Sequence, residues 1–193
     1  GGGSGFTNFD TNIIATGNIT ITAVSLFGDL TFGSNNIVIQ TNTRCIGDVT
    51  GSGSLTFSGV QGGQGGAGGC GGESFSSPFS GDASGFTGSL IINEGMRGMI
   101  GSSATALGRS ANSITVNGGG LVLSQNYGED TAFDVPITFN GGTLAVFQEY
   151  EAETCNPPTT FKTATISSNV TVTEAMEVAY LIKANLKFAG TVT

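Results

Sequence analysis

Short runs in which apolar and polar residues alternate one by one recur along the chain. Examples are Asn18-Ile19-Thr20-Ile21-Thr22, Asn36-Ile37-Val38-Ile39-Gln40, Ser54-Leu55-Thr56-Phe57-Ser58, Ser89-Leu90-Ile91-Ile92-Asn93, Ser113-Ile114-Thr115-Val116-Asn117 and Asn169-Val170-Thr171-Val172-Thr173. A period of two is that of a half-buried strand, with Ile, Leu, Val and Phe turned inward and Thr, Ser and Asn outward. Gly, Asn and Asp separate the runs and suit tight corners. The pattern predicts an all-β chain. Only Glu174 to Ala184 has the composition of a short helix, and there Val178, Tyr180 and Ile182 alternate as well.

One internal repeat is strong. The segment from Ile114 to Tyr127 aligns without gaps to that from Ile137 to Tyr150, 23 residues on, with eight of 14 positions identical. A looser period joins Leu30-Thr31-Phe32 to Leu55-Thr56-Phe57, 25 residues apart, and Leu144 to Val170, 26 apart. Periods of this size mark solenoids, propellers or arrays. A parallel β-solenoid predicts that Ile114, Val116, Leu121 and Leu123 lie one coil from Ile137, Phe139, Leu144 and Val146. An antiparallel β-sandwich is the alternative, with Asn117-Gly118-Gly119-Gly120 and Asn140-Gly141-Gly142-Thr143 as hairpin turns.

Composition refines this picture. The 193 residues include 33 Gly, yet 38% are hydrophobic, enough to bury a core. Residues 1–5 read as a flexible start or linker, and 6–193 as one segment with two excursions. These are a Gly-rich insertion at about 60–81 and an acidic, Pro-containing loop at about 149–160. Fourteen acidic residues against six basic ones give a net charge of −8. No basic cluster is present to bind phosphates, which argues against nucleic acid. No apolar run approaches the roughly 18 residues of a membrane span. A Gly at position 1 and a strand-like last segment fit a mature product or fragment, and the start lacks the regions of a signal peptide.

At Gly53-Ser54-Leu55-Thr56-Phe57-Ser58-Gly59, Phe86-Thr87-Gly88-Ser89-Leu90-Ile91-Ile92-Asn93-Glu94-Gly95, Ala106-Leu107-Gly108 and Ile114 to Leu121, the chain resembles the autotransporter-associated β-strand repeat. About 100 residues, 47 to 147, carry the resemblance. It implies a right-handed parallel β-helix in a large bacterial surface or secreted protein, often an adhesin passenger. The Gly-rich insertion and the Cys residues depart from the pattern.

Candidate chemistry is sparse. The chain has no His and three Cys, so imidazole catalysis and most zinc sites are excluded. Asp29, Asp48, Asp82, Asp130 and Asp134 sit beside Gly or at strand ends and read as corner residues that bond their own backbone. Glu149, Glu151 and Glu153 would share a face if extended, as a weak cation site or a solvated acidic loop; a Ca²⁺ site needs several converging oxygens. The tract from Gly62 to Gly72 lacks both the Asp of Ca²⁺-binding repeats and the Lys-Ser/Thr of a phosphate loop. No metal, cofactor or catalytic residue is therefore assigned. Tyr127 and Tyr150 share a repeat position and form a candidate surface aromatic stack, either binding sugars or covering a corner. Cys45 and Cys70, 25 residues apart, form a candidate disulfide, with three unrelated thiols as the alternative. Lys162, Lys183 and Lys187 are candidates for cross-links to Asn. Asn18-Ile19-Thr20 and Asn169-Val170-Thr171 fit the glycosylation triplet.

The expected function is that of a non-enzymatic structural or adhesive β-helix module, extracellular or on a cell surface. Its expected partner is a host or cell-surface glycan or protein. Two alternatives are a subunit of a self-assembling extracellular filament, through head-to-tail contact of open strand edges, and a polysaccharide-active β-helix enzyme, which would need several acids on one groove.

Overall fold

The computed structural model describes residues 7–22, 24–40, 44–45, 47–59, 81–100, 103–125, 129–148, 160–180 and 184–193. Its first three levels each carry three short strands. They are β1 (Thr7–Phe9), β2 (Ile13–Ile14) and β3 (Ile19–Thr22); β4 (Val24–Leu26), β5 (Leu30–Thr31) and β6 (Ile37–Gln40); and β7 (Arg44–Cys45), β8 (Val49–Thr50) and β9 (Ser54–Ser58). Next come β10 (Ser89–Asn93), β11 (Arg97–Ile100), β12 (Ser113–Asn117), β13 (Gly120–Gln125) and β14 (Thr131–Phe133). The last are β15 (Ile137–Gln148), β16 (Thr163–Ile166), β17 (Val170–Tyr180) and β18 (Asn185–Phe188). No helix occurs among the described residues.

Every pairing between these strands is parallel. A parallel neighbour cannot be reached by a tight turn, so the chain leaves each sheet and returns to it one level on. The main sheet runs β3-β6-β9-β10-β12-β15-β17, and β11 and β13 join it alongside the second half of β15. Three small sheets, β1-β4-β7, β2-β5-β8 and β14-β16-β18, form the other faces.

Register makes the core. Ile37, Leu55, Leu90, Ile114, Ile137 and Val170 stand in one column, and Ile39, Phe57, Ile92, Val116 and Phe139 in a second. All are buried. Each such side chain contributes roughly 1.5–3 kcal/mol of burial. The pairs expected from the repeat are found: Ile114 with Ile137, Val116 with Phe139, Leu121 with Leu144, and Leu123 with Val146.

The parallel pairing sets aside the antiparallel sandwich. Asn140-Gly141-Gly142-Thr143 is no hairpin turn, because β15 runs through it and pairs with β12 before it and β13 after it. The strand bends there on Gly141 and Gly142, at φ of 74° and 97°, a region costly for residues with a Cβ. Glycine also serves close approach. A Cβ on Gly51 would lie 2.5 Å from the Phe32 ring, and Phe32 meets Phe86 at a centroid distance of 6.0 Å. Gly51, bridged to Phe86, leaves room for that ring.

Two other expectations are corrected. Leu30 and Leu55 are not one coil apart: Leu30 pairs with Ile13 and Val49, whereas Leu55 pairs with Ile37 and Leu90. Likewise Leu144 pairs with Val178, while Val170 pairs with Ile137. The spacing is 18 residues in the early levels and 23 to 24 in the middle. Residues 174–180 belong to β17 rather than a helix, since β15 supplies a partner strand against which Val178 stacks on Leu144. Residues 60–80 and 149–159 lie outside the described residues, and pairing resumes in register beyond each, Leu55 with Leu90 and Ile137 with Val170.

Inward and outward positions should differ sharply in cost. Leu121→Ala empties a fully buried site and should destabilise by roughly 2–5 kcal/mol. Thr115→Ala, on the outward face, should cost well under half of that. Denaturant midpoints at unchanged slope measure both, and equal midpoints would reverse the assignment of the faces.

Candidate functional site

The polar side chains that the structure organises lie at the corners and along the edges of the main sheet. At one corner the Asp29 backbone N–H donates to Asn12 Oδ1 at 2.9 Å, Asp48 N–H to Asp29 Oδ1 at 3.0 Å, and Asp82 N–H to Asp48 Oδ1 at 2.9 Å. Thr163 N–H donates to Asp130 Oδ1 at 2.7 Å in the same manner. Each carboxylate therefore satisfies a backbone donor one level away, where the local reading had it bonding its own turn. Asp82 differs: its carboxylate bonds its own turn, accepting from Ser84 N–H at 2.7 Å, as the local reading expected. Hydrogen bonds from the Ser84 side chain and backbone hold its carboxyl below the ordinary value of 3.8.

Two amide ladders edge the main sheet. Asn36 N–H donates to Asn18 Oδ1 at 2.8 Å, and Ser54 N–H and Oγ–H both donate to Asn36 Oδ1, at 3.2 and 2.8 Å. On the other edge Asn117 Nδ2–H donates to Asn93 Oδ1 at 3.0 Å, and Asn140 Nδ2–H to Asn117 Oδ1 at 2.8 Å. An amide carries both a donor and an acceptor, so identical side chains can chain indefinitely.

A groove of about 460 Å³ lies on the outer side of the second half of the sheet. Val122, Ala145 and Ala179 stand in one column within it, bordered by Gly118, Gly119, Gly120, Thr143 and Glu177. Glu177 is the one ionisable group among its described lining residues. Acid–base hydrolysis of a glycan needs a pair of carboxyls, and Glu177 has no second acid beside it among those residues. Elsewhere Arg109 donates from Nη1 to the Ala132 carbonyl at 2.6 Å and lies 4.8 Å from the Phe133 ring centroid. Burial lowers its pKa and the charge of Asp134 opposes that shift. This is a structural clamp between levels. Among the described residues no three His, Cys, Asp or Glu gather in a way that could hold a metal ion.

Of the residues singled out from sequence, Cys45 lies in β7 beside Leu26, but its side chain, Cys70 and Cys155 fall outside the described residues, as do Tyr127, Tyr150, Glu149, Glu151, Glu153 and Lys183. The candidate disulfide and aromatic stack thus lie outside them. Lys162 and Lys187 are on different levels, Lys187 paired with Thr165 in β18. The ladder Asn residues were missed as a group, although each closes or opens an alternating run. Compared with known proteins, the chain matches no family model, no curated protein and no solved structure.

Two outcomes follow from the corner ladder. Asp48→Ala strips the acceptor from Asp82 N–H and should cost about 1 kcal/mol, while Asp48→Asn keeps an acceptor oxygen and should cost little; thermal denaturation of the pair separates them. The bonds from Ser84 favour ionised Asp82 in the folded state, so their stabilisation is complete above the ordinary 3.8 and is lost as pH falls through the lower folded value. Ser84→Ala should therefore lower stability at neutral pH and leave it unchanged in strong acid, as read by urea titrations at the two pH values.

Proposed function

We propose that this chain is a segment of right-handed parallel β-helix that works as a non-enzymatic structural or adhesive module of a bacterial surface or secreted protein. The observation that carries the reading is the in-register parallel stack from Ile19 to Val170, in which apolar columns face in and uncharged, mostly polar columns face out. Such a stack grows by repeating one contact, which makes length and surface pattern its products. The resemblance to autotransporter-associated repeats supports the extracellular setting and the hand of the helix. Among the described residues Asp29, Asp48, Asp82 and Asp130 serve as corner acceptors and Arg109 as a clamp, uses that fit a scaffold.

Among the described residues, exposed large apolar side chains include Phe9 and Ile14 in the first level and Val178, Phe188 and Val192 late in the stack, with Phe27 and Phe161 one level further in. Further β-helix or a second copy would cover either end. The test is electron microscopy of the purified chain together with a glycan-cleavage screen. The expected image is a short rod advancing about 4.8 Å per level, without release of sugar products. A rounded particle, or turnover of any glycan, would overturn the reading. Rods that lengthen with protein concentration would replace the stalk with a self-assembling filament.

A further inference from the structure

The outer face of the main sheet has a regularity that folding does not demand. Its central column reads Thr20, Val38, Thr56, Ile91, Thr115, Thr138 and Thr171, each paired in register with the next. All seven are β-branched, so each has a restricted χ1 and projects its methyl and, in five of them, its hydroxyl in a fixed direction. All seven are exposed or half-exposed. Amide ladders bind level to level, along one edge from Asn18 to Ser54 and along the other from Asn93 to Asn140, at the strand spacing of about 4.8 Å. No charged and no aromatic residue stands at the outward positions of β3, β6, β9, β10, β12 or Ile137–Asn140 of β15.

We propose that this face binds the surface of crystalline water. The inference rests on the adhesive reading above and names what the module adheres to. A Thr hydroxyl both donates and accepts a hydrogen bond, so it can stand in for a lattice water. The neighbouring methyl restricts the orientation of first-layer water without bonding it. A row with such pairs at five of its seven levels, repeating at close to a lattice repeat of ice rather than at its shorter hydrogen-bond length, orders water in the same pattern along the stack. Charged side chains would hold water in competing orientations, and the face has none from β3 to Ile137–Asn140 of β15, the first being Glu174 beside Asn140 on β17. The absence of aromatic rings separates this surface from one shaped for crystalline polysaccharide, where rings stack on the apolar faces of sugars.

The experiment measures thermal hysteresis and ice-crystal shaping by the whole chain, with retention on microcrystalline cellulose and chitin as a parallel arm. The wild-type chain should shape growing crystals and hold them below the melting point. Thr115→Lys and Thr138→Lys should abolish this, whereas Thr31→Lys, on the separate β2-β5-β8 sheet, should retain it. Far-UV circular dichroism and melting of each variant establish that it is folded. A folded wild-type chain without effect on ice, equal loss in Thr31→Lys, or retention on polysaccharide in place of ice would each overturn the inference. None of these results touches the rod-shaped module, which the imaging tests separately.

Discussion

Parallel stacking in register is the constraint on which the rest of the structure depends. Each residue sits directly over its counterpart one level away, about 4.8 Å off, so a side chain is selected less by its sequence neighbours than by the column it enters. Inward columns are filled mainly by apolar groups that tile on themselves, as Ile37, Leu55, Leu90, Ile114 and Ile137 do, with Thr131 over Ala164 a polar exception. Where one member is too large, another yields: Phe32 and Phe86 fit because Gly51 stands between their levels. Corners obey the same rule. A Cβ on Gly119 or Gly142 would strike the backbone of the preceding level, which accounts for the Gly pair in both copies of the repeat.

Legibility in the sequence followed the uniformity of the columns. The levels containing Ile114 and Ile137 share a strand, a glycine bend and a second strand, so their alignment could be read directly and pairs the correct residues. In the first three levels each face holds only two to five residues, and successive levels are 18 apart. There the likeness of Leu30-Thr31-Phe32 to Leu55-Thr56-Phe57 reflected two different faces with the same local pattern. The segments 60–80 and 149–159 lengthened the apparent period further, to 34 and 33 residues across them. The corner acids were legible as turn residues but not in their partners, because Asp48 satisfies the amide of Asp82, 34 positions later. Nothing local signals a bond of that kind.

A stack of nearest-neighbour contacts is energetically close to a sum of local terms. An excursion between two levels adds loop entropy that grows only slowly with length, and it leaves the register on either side intact. That is why Leu55 meets Leu90 and Ile137 meets Val170 as though the intervening residues were absent. Bonds between levels, such as the Arg109 clamp to Ala132, strengthen single steps without altering the remainder.

The same locality decides where function can be placed. Inward columns are committed to packing and corners to backbone acceptors, so outward columns are the positions whose composition the fold leaves open. Ordinary soluble sheets fill such positions with mixed charge, which blocks edge and face association. Here the acids stand at corners, as Asp29, Asp48 and Asp82 do, or late in the stack, as Glu174 and Glu177 do on β17, while the main face from β3 to β12 carries Thr, Ser, Asn and Gln among β-branched apolar residues. Threonine alone would be explained by its preference for strands. A face without charge from β3 to β12, with amide ladders along one edge in the early levels and along the other in the middle ones, is a stronger pattern than that preference requires, and the surface is where its purpose has to be sought.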